Sequence, residues 1–313
     1  MIIVREIGEI RGEVALAATV GFFDGVHRGH RYLIDTLRDA ARARCLPSAV
    51  ITFLQHPRAV LQADYQPRLL NSHDEKLCRL SGTGVDYCIL LDFTVALSRL
   101  TAREFILSVL SGRWNVKTLL AGYDHRFGRN RTEGFGRYAL YAASCDMEVL
   151  EAPPLIEDGV AVSSSEVRKQ LSAGKVEEAA RLLTYPYSLK GHVVHGERIG
   201  RTIGFPTANI MTDDPLKMVP GEGVYAVEVY LDNTKYRGML YIGRRPTLDA
   251  AGHTTTMEVH ILDFTGDIYM RTISVSFIGY VRSDIRFSSL EELGEQLKRD
   301  RETVSAILTG ARQ

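Results

Sequence analysis

Short apolar runs alternate with amphipathic stretches over the first half of the chain. VALAATVGFF at 14–23, SAVITF at 48–53, DYCILLDF at 86–93, KTLLAG at 117–122 and MEVLEA at 147–152 read as strands. Between them, HRYLIDTLRDAARA, HDEKLCRL, AREFILSVL and GRYALYAASC carry apolar residues near three- and four-residue spacing, the mark of helices with one buried face. Ser72 with Glu75 and Thr101 with Glu104 supply capping boxes for two of these helices. Strands alternating with helices at this spacing form βαβ units. A parallel sheet covered on both faces is expected, with ligands beyond the carboxyl ends of its strands.

Two more helical segments, SSEVRKQLSAG at 164–174 and VEEAARLL at 176–183, close this region, and after TYPYS at 184–188 the periodicity changes. LKGHVVHG, GVYAVEVYL, KYRGMLYIG, TTTMEVHIL and RTISVSFIGYV alternate, with closely spaced glycines and no crossover helices. That pattern predicts an antiparallel barrel or sandwich. Ser288 and Glu291 form a capping box for a last helix over 289–308. Two domains are expected, an α/β domain over 1–184 and a β-rich domain with a C-terminal helix over 185–313.

Composition narrows the function more than the fold. The 313 residues include 38 Lys plus Arg against 38 Asp plus Glu, so the formal net charge is zero. Broad neutralisation of a nucleic acid is not expected, though a local basic pocket stays open. Cys45, Cys78, Cys88 and Cys145 show no CxxC spacing, which points to reduced thiols rather than a disulfide framework or a zinc site. The start, MIIVREIGEIRGE, is charged too early for a signal peptide, and no apolar run approaches the ~18 residues of a membrane span. A cytoplasmic protein with no nucleic-acid or membrane partner is expected.

The candidate chemistry begins at TVGFFDGVHRGH, residues 19–30. A glycine-containing turn from strand to helix points backbone N–H groups and the positive helix end at an anion. Gly25 and Gly29 permit an approach that a Cβ would block. His27 and His30, three apart across the helix start, can face one side and donate to phosphate oxygens. This suits attack at the α-phosphorus of a triphosphate, where charge builds on the centre and on the leaving pyrophosphate. Taken alone, H-x-G-H reads more simply as a tight turn with surface histidines. A zinc site is weaker still, because no carboxylate or cysteine stands at ligand spacing.

A second glycine-rich stretch, GHVVHGERIGRTIGFPTANI at 191–210, opens the β-rich region. Gly196, Gly200 and Gly204 permit a loop that wraps phosphates with backbone donors. In PTAN, Pro206 stiffens the chain, and an extended segment places Thr207 and Asn209 on one side. A hydroxyl and an amide oxygen so placed suit Mg²⁺. A β-turn with polar strand residues fits PTAN equally well.

These stretches, in this order, resemble the bifunctional riboflavin kinase/FAD synthetases. The first turn is similar to that family's GNFDGVHxGH, with Phe22 in place of asparagine. VITF-x-x-HP at 50–57 follows, with Leu54 and Gln55 for the usual Asp-Pro, then EKLCRLSGTGVDY at 75–87 and AREF at 102–105. AGYDHRFGRNRTEG at 121–134 resembles GxDFRFGxxRxG, with His125 for phenylalanine. VSSSEVRKQLSAGKVEEAARLL at 162–183 resembles SSTRIRxxLxxGxVxxAxxLL, with Ser165 for threonine and Glu166 for arginine. GRTIGFPTANI, GVYAVEV, IGRRPT, MEVHILDFTGDIY and VRSDIRFSSLEELGEQLKRD continue the match to 300, with Tyr241 for asparagine and Met270 for glycine.

The resemblance implies a Rossmann-like nucleotidylyltransferase domain followed by an antiparallel β-barrel kinase domain. The barrel would convert riboflavin to FMN, and the first domain would convert FMN to FAD and pyrophosphate. ATP would be co-substrate and Mg²⁺ the cofactor in both, with apo-flavoproteins as transient recipients of FAD. His27 and His30 would be catalytic. They would hold ATP together with Gly21, Phe22, Asp24, Gly25, Gly29, Ser164, Ser165 and Arg168. Phe53, His56, Asp124 and Phe127 would border FMN. Ser163 with Glu166 also reads as a capping box for the helix that follows. In the kinase, Gly196, Gly200, Arg201, Gly204, Thr207 and Asn209 would hold ATP, Thr207 and Asn209 also serving Mg²⁺. Glu258 would take the proton of the ribityl hydroxyl, and Arg282 would help hold the flavin. By spacing alone Glu258 reads as an outward-facing strand residue. The rivals are an adenylyltransferase for another substrate with a regulatory barrel, which PTAN with Glu258 speaks against, and a flavin-binding sensor without ATP turnover.

Overall fold

The structure, a computed structural model, describes residues 1–10, 14–62, 64–123, 125–129, 131–195, 200, 204–232, 234–246 and 253–310. They fall into two compact units, Met1–Ser164 and Ser165–Gln313.

The first unit is built on six strands: β1 (Ile2–Val4), β2 (Leu16–Val20), β3 (Ser48–Phe53), β4 (Tyr87–Leu91), β5 (Val116–Gly122) and β6 (Glu148–Ala152). All pairs are parallel, in the order β1-β4-β3-β2-β5-β6. The helices are α1 (Arg28–Ala43), α2 (Pro57–Leu61), α3 (His73–Ser81), α4 (Val95–Ser98), α5 (Ala102–Glu104) and α6 (Phe135–Ala143). A small hairpin, β7 (Ile156–Glu157) and β8 (Val160–Ala161), follows the sheet. The apolar runs do not alternate because both faces of the sheet are covered. Ala18, Ile51 and Ile89 pack with Trp114 and Tyr138, while Val50, Cys88 and Leu90 pack with Ile34 on the opposite face.

Both expected capping boxes are formed in full, at Ser72 with Glu75 and at Thr101 with Glu104. AREFILSVL is α-helical only to Glu104; a π-helical stretch, Phe105–Ser111, continues it and buries Phe105, Ile106 and Leu110. Strand β1 has no counterpart in the sequence reading. Its three residues, between the start and a charged run, give too short a pattern to recognise.

The strand order reverses at β2, which lies between β3 and β5. Helix α1, following β2, packs on one face, and α6, following β5, packs on the other. The sheet therefore opens a crevice beyond the carboxyl end of β2, where the FDGVHRGH turn stands.

The second unit begins with α7 (Ser164–Ser172, its first residue in the first unit) and α8 (Val176–Leu183). Six strands follow: β9 (Ser188–Val194), β10 (Ala208–Thr212), β11 (Gly223–Leu231), β12 (Thr234–Pro246), β13 (His253–Ile261) and β14 (Thr272–Arg282). They close an antiparallel barrel in the order β10-β13-β12-β11-β14-β9. Closure leaves no unpaired edge. Helix α9 (Leu290–Gly310) packs Val304 and Leu308 against Val224, Ala226 and Met239. The compact units divide before α7 because α7 and α8 lie on the barrel. Gly221 N–H donates to Leu171 O at 2.9 Å, and Tyr280 N–H donates to a Glu177 carboxylate oxygen at 2.8 Å.

The last cap differs from the Ser288–Glu291 expectation. Helix α9 starts at Leu290, so its third residue is Glu292. Glu292 N–H donates to Ser289 Oγ, and the Glu292 carboxylate accepts from the Ser288 amide and hydroxyl. The cap is thus shifted one residue along to Ser289, and the returning carboxylate bonds go to Ser288 rather than to the cap's own amide.

Candidate active sites

Beyond β2 the chain turns sharply: Phe23, Gly25 and Val26 all have positive φ. Gly25, at φ +82°, takes a conformation that costs a residue with a Cβ. Gly29 is a glycine for a different reason. A Cβ there would stand 2.7 Å from the carbonyl oxygen of Val162, so the absent side chain lets the 162 segment lie against the start of α1. Ser164 completes that contact by donating its hydroxyl to Asp24 O at 2.9 Å.

His27 is the N-cap of α1. Its Nδ1 accepts the His30 amide at 3.3 Å, and the two imidazoles stack with centroids 3.7 Å apart. Phe23 flanks His30 at 5.1 Å. The expected pairing of the two histidines on one side is thus observed, with His27 buried and His30 half-buried.

Asp24 also has backbone partners within the unit. Its carboxylate is buried and accepts the backbone amides of Leu70 and Asn71 at 3.0–3.1 Å, holding the 70–71 segment to the turn. Gly21 N–H donates to Ile51 O, continuing the β2–β3 ladder.

The residues expected at the FMN side divide into two groups. His56 meets Phe22, a residue expected among the ATP contacts, edge to face at 4.8 Å, and Phe53 meets Phe93 at 5.3 Å. His56 caps α2 by accepting Arg58 N–H, and the Tyr65 ring lies 5.6 Å from it. Phe127 instead turns into the core. It stacks on Tyr138 at 4.0 Å and touches Phe105, while the Tyr138 hydroxyl accepts its amide. Asp124 lies outside the described residues. Ser165 and Arg168 lie on α7, exposed and half-buried respectively. Glu166, where the family has arginine, accepts from Gln170 at 2.6 Å and stands 3.5 Å from Lys169 Nζ.

Sequence reasoning missed Lys76. Its ammonium, 3% exposed, donates to Phe53 O at 2.8 Å and lies 4.2 Å from the Phe22 ring. Burial pulls it down to about 8, against the opposing pull of Asp24. EKLCRL shows only helical periodicity, so nothing in it marks the lysine as inward.

In the barrel, Thr207 donates its hydroxyl to Glu258 at 3.2 Å, and Asn209 faces Glu258 directly in the β10–β13 register. A hydroxyl, an amide and a carboxylate converge there. Beside them a cavity of about 350 Å³ is lined by Thr207, Val259, Phe264, Asp267 and Tyr269 among others. The last three belong to the DFTGDIY stretch, which the motif reading quoted without assigning roles. Tyr241, opposite Glu258 on β12, has its hydroxyl pushed up to about 12 by burial, with Asp284 and Glu258 adding to the shift. Two residues along β13, on the same face as Glu258, His260 donates from Nδ1 to Pro206 O at 2.8 Å and meets Phe205 edge to face.

Arg282 is tied to α9. Its guanidinium grips Asp300 of α9 through Nε and a terminal nitrogen at 2.8–3.0 Å and donates to Ser283 O. Gly200 accepts the Phe205 amide, and Gly204 has φ +81°. Gly196 and Arg201 lie outside the described residues.

A family model described as FAD synthetase matches residues 11–166, and one described as riboflavin kinase matches residues 183–308. Curated relatives named bifunctional riboflavin kinase/FMN adenylyltransferase include one from Escherichia coli strain K12, 40% identical over 285 residues, spanning 90% of this chain and 89% of that one. The Pseudomonas fluorescens relative is 36% identical over 96% of each chain. That from Bacillus subtilis is 32% identical over 94% and 93%. A crystal structure from Streptococcus pneumoniae, described as a macrolide-efflux protein, matches with a TM-score of 0.83 and 34% identity over 97% of this chain and 98% of that one. Among the described residues here, no helix is long and apolar enough to cross a membrane.

Proposed function

The chain belongs to the bifunctional riboflavin kinase/FMN adenylyltransferases, and from that premise we propose which of its residues carry each transfer. The C-terminal half phosphorylates riboflavin with ATP to give FMN, and the N-terminal half adenylylates FMN with a second ATP to give FAD and pyrophosphate. The proposed catalytic domains are 1–184 and 185–313. Because α7 and α8 pack on the barrel, a fragment starting at 165 is expected to melt higher than one starting at 185.

For adenylyl transfer, His27 and His30 are assigned to the ATP phosphates, where donors fixed before reaction stabilise charge without reorganising. Gly21, Gly25 and Gly29 shape the turn, Asp24 holds it, and Ser164 is assigned with them to the phosphates; Ser165 and Arg168 keep the nucleotide-binding role that the resemblance implies. Phe53 and His56 are assigned to the flavin side, and Phe22, expected among the ATP contacts, is reassigned there because its ring meets His56. Phe127 supports that side from the core.

For the kinase step, Glu258 is the proton acceptor for the ribityl hydroxyl, and Thr207 and Asn209 hold ATP. The Thr207–Glu258 hydrogen bond beside Asn209 is the observation that carries this assignment. The same oxygen donors fit a hard cation. Mg²⁺ bound there would neutralise phosphate charge, and the remaining work is positioning and one proton transfer. Arg282, through Ser283 and Asp300, is assigned to shaping the flavin end. The cytoplasm is the proposed compartment, supported by four free cysteines, and apo-flavoproteins are the proposed recipients of FAD. Incubation with riboflavin, ATP and Mg²⁺ followed by chromatography should show FMN and then FAD. A folded protein yielding neither would refute the assignment.

A further inference from the structure

Lys76 joins three elements that meet at the crevice of the first unit. From α3 its ammonium donates to the carbonyl of Phe53, the last residue of β3, and lies 3.4 Å from Thr52 Oγ1. Thr52 Oγ1 in turn donates to Phe22 O across the β2 turn at 3.1 Å. The Phe22 ring covers the ammonium at 4.2 Å and meets His56 edge to face. The asparagine-to-phenylalanine departure at 22 thus supplies a π-face to a buried cation.

We infer that Lys76 is a positioning residue for adenylyl transfer, its charge fixing the carboxyl end of β3 and the Phe22 ring, so that FAD formation depends on that charge and FMN formation does not. The inference rests on the assignment of Phe22, Phe53 and His56 to the flavin side.

The surroundings explain why the charge is both held and easily lost. Facing it from the turn is the Asp24 carboxylate, from β4 the Cys88 thiol, and from its own helix His73. Burial pushes Cys88 up to about 11, and burial with the Lys76 charge lowers His73, so near neutral pH both are uncharged. Of these groups the Asp24 carboxylate exerts the larger pull toward the charged form, ahead of Cys88. Burial brings Lys76 to about 8, from 10.5 when exposed. Above about pH 8 the neutral amine keeps a weaker hydrogen bond and loses the charge-assisted part and the attraction to the ring. Between the two values the unfolded chain binds more protons than the folded one, so this group adds stability as the pH rises. Loss of this proton therefore does not by itself destabilise the fold.

The test uses the full chain, which carries its own control. The kcat/KM for FMN in FAD formation, and for riboflavin in FMN formation, are measured from about pH 6 to about pH 10 for the unaltered protein, Lys76→Met and Lys76→Arg. FAD formation by the unaltered protein should fall at least ~10-fold around pH 8, while FMN formation holds. Lys76→Met should lose roughly 10²-fold at neutral pH, mainly through KM for FMN, with a flat alkaline profile. Lys76→Arg, charged throughout, should recover most activity and abolish the fall. If Lys76→Met does not fold, the unaltered profile and Lys76→Arg decide. An unaltered protein with no fall near pH 8, or a folded Lys76→Met with normal kcat/KM for FMN, overturns the inference. His30→Ala, assayed alongside, separates the two levels. If it alone abolishes FAD formation, only the role of Lys76 fails; if neither variant does, the site assignment fails too.

Discussion

The imidazoles of His27 and His30 stack at the start of α1, with centroids 3.7 Å apart and planes inclined by 18°. Because His27 Nδ1 accepts the His30 amide, a neutral His27 ring carries its proton on Nε2, away from the cap. One side chain thus has two separable tasks. Asparagine at position 27 can still cap the helix but cannot stack on His30 or donate from an imidazole. His27→Asn should therefore keep the melting temperature while lowering kcat for FAD formation ~10²-fold. His27→Ala should show the same kinetic loss and also lose about 1 kcal/mol of stability. Normal FAD synthesis by His27→Asn would reduce His27 to a cap.

The pH dependence of the barrel should trace to His260. Burial lowers its pKa below 6.5, opposed by its hydrogen bond to Pro206, with Arg301 lowering it further and Asp263 raising it. A base with a lowered folded pKa contributes its stability in full above 6.5 and loses it as the pH falls through the folded value. Mild acid should thus loosen the Phe205–Thr207 segment. The temperature of half-inactivation of riboflavin phosphorylation should drop on acidification from about pH 6.5 to about pH 5, and His260→Gln should lessen the drop. An identical drop in the variant would assign the acid sensitivity elsewhere.

Arg282 and Asp300 form a buried pair with side-chain exposures of 16% and 2%. Removing one partner strands the other charge, at about 3 kcal/mol or more. The deeper carboxylate makes Arg282→Ala the worse of the two single variants, despite Gln296 remaining on Asp300. An Arg282→Met, Asp300→Leu double variant should recover most of the loss in thermal inactivation of the kinase. Equal, small effects of both single changes would show the pair to be solvated in practice.

Much of this was legible in the sequence because local pattern and tertiary structure agree. SAVITF is strand β3 over its whole length, and the Ser72 and Thr101 boxes form as spaced. The parallel sheet, the antiparallel β domain and the family followed from periodicity and ordered motifs. What escaped depends on tertiary neighbours. That Asp24 serves backbone amides of residues 70–71, that Gly29 makes room for Val162, and that Arg282 meets Asp300 are contacts between distant segments with no periodic trace. Lys76 escaped because a lysine in an amphipathic helix reads as solvated unless its helix is known to face a strand end.

The separation of two sites on one chain is tested most directly by two variants and two flavins. Full-length His30→Ala and Glu258→Gln are each supplied with riboflavin or with FMN, ATP and Mg²⁺, and the products are separated by chromatography. His30→Ala should convert riboflavin to FMN at the normal rate and accumulate it, with FAD formation down ~10²–10³-fold. Glu258→Gln keeps the shape of the site without the proton acceptor. It should lose FMN formation ~10²–10⁴-fold yet make FAD normally from supplied FMN. Loss of FMN formation in folded His30→Ala, or of FAD formation from FMN in folded Glu258→Gln, would contradict the assignment of the two transfers to separate residues.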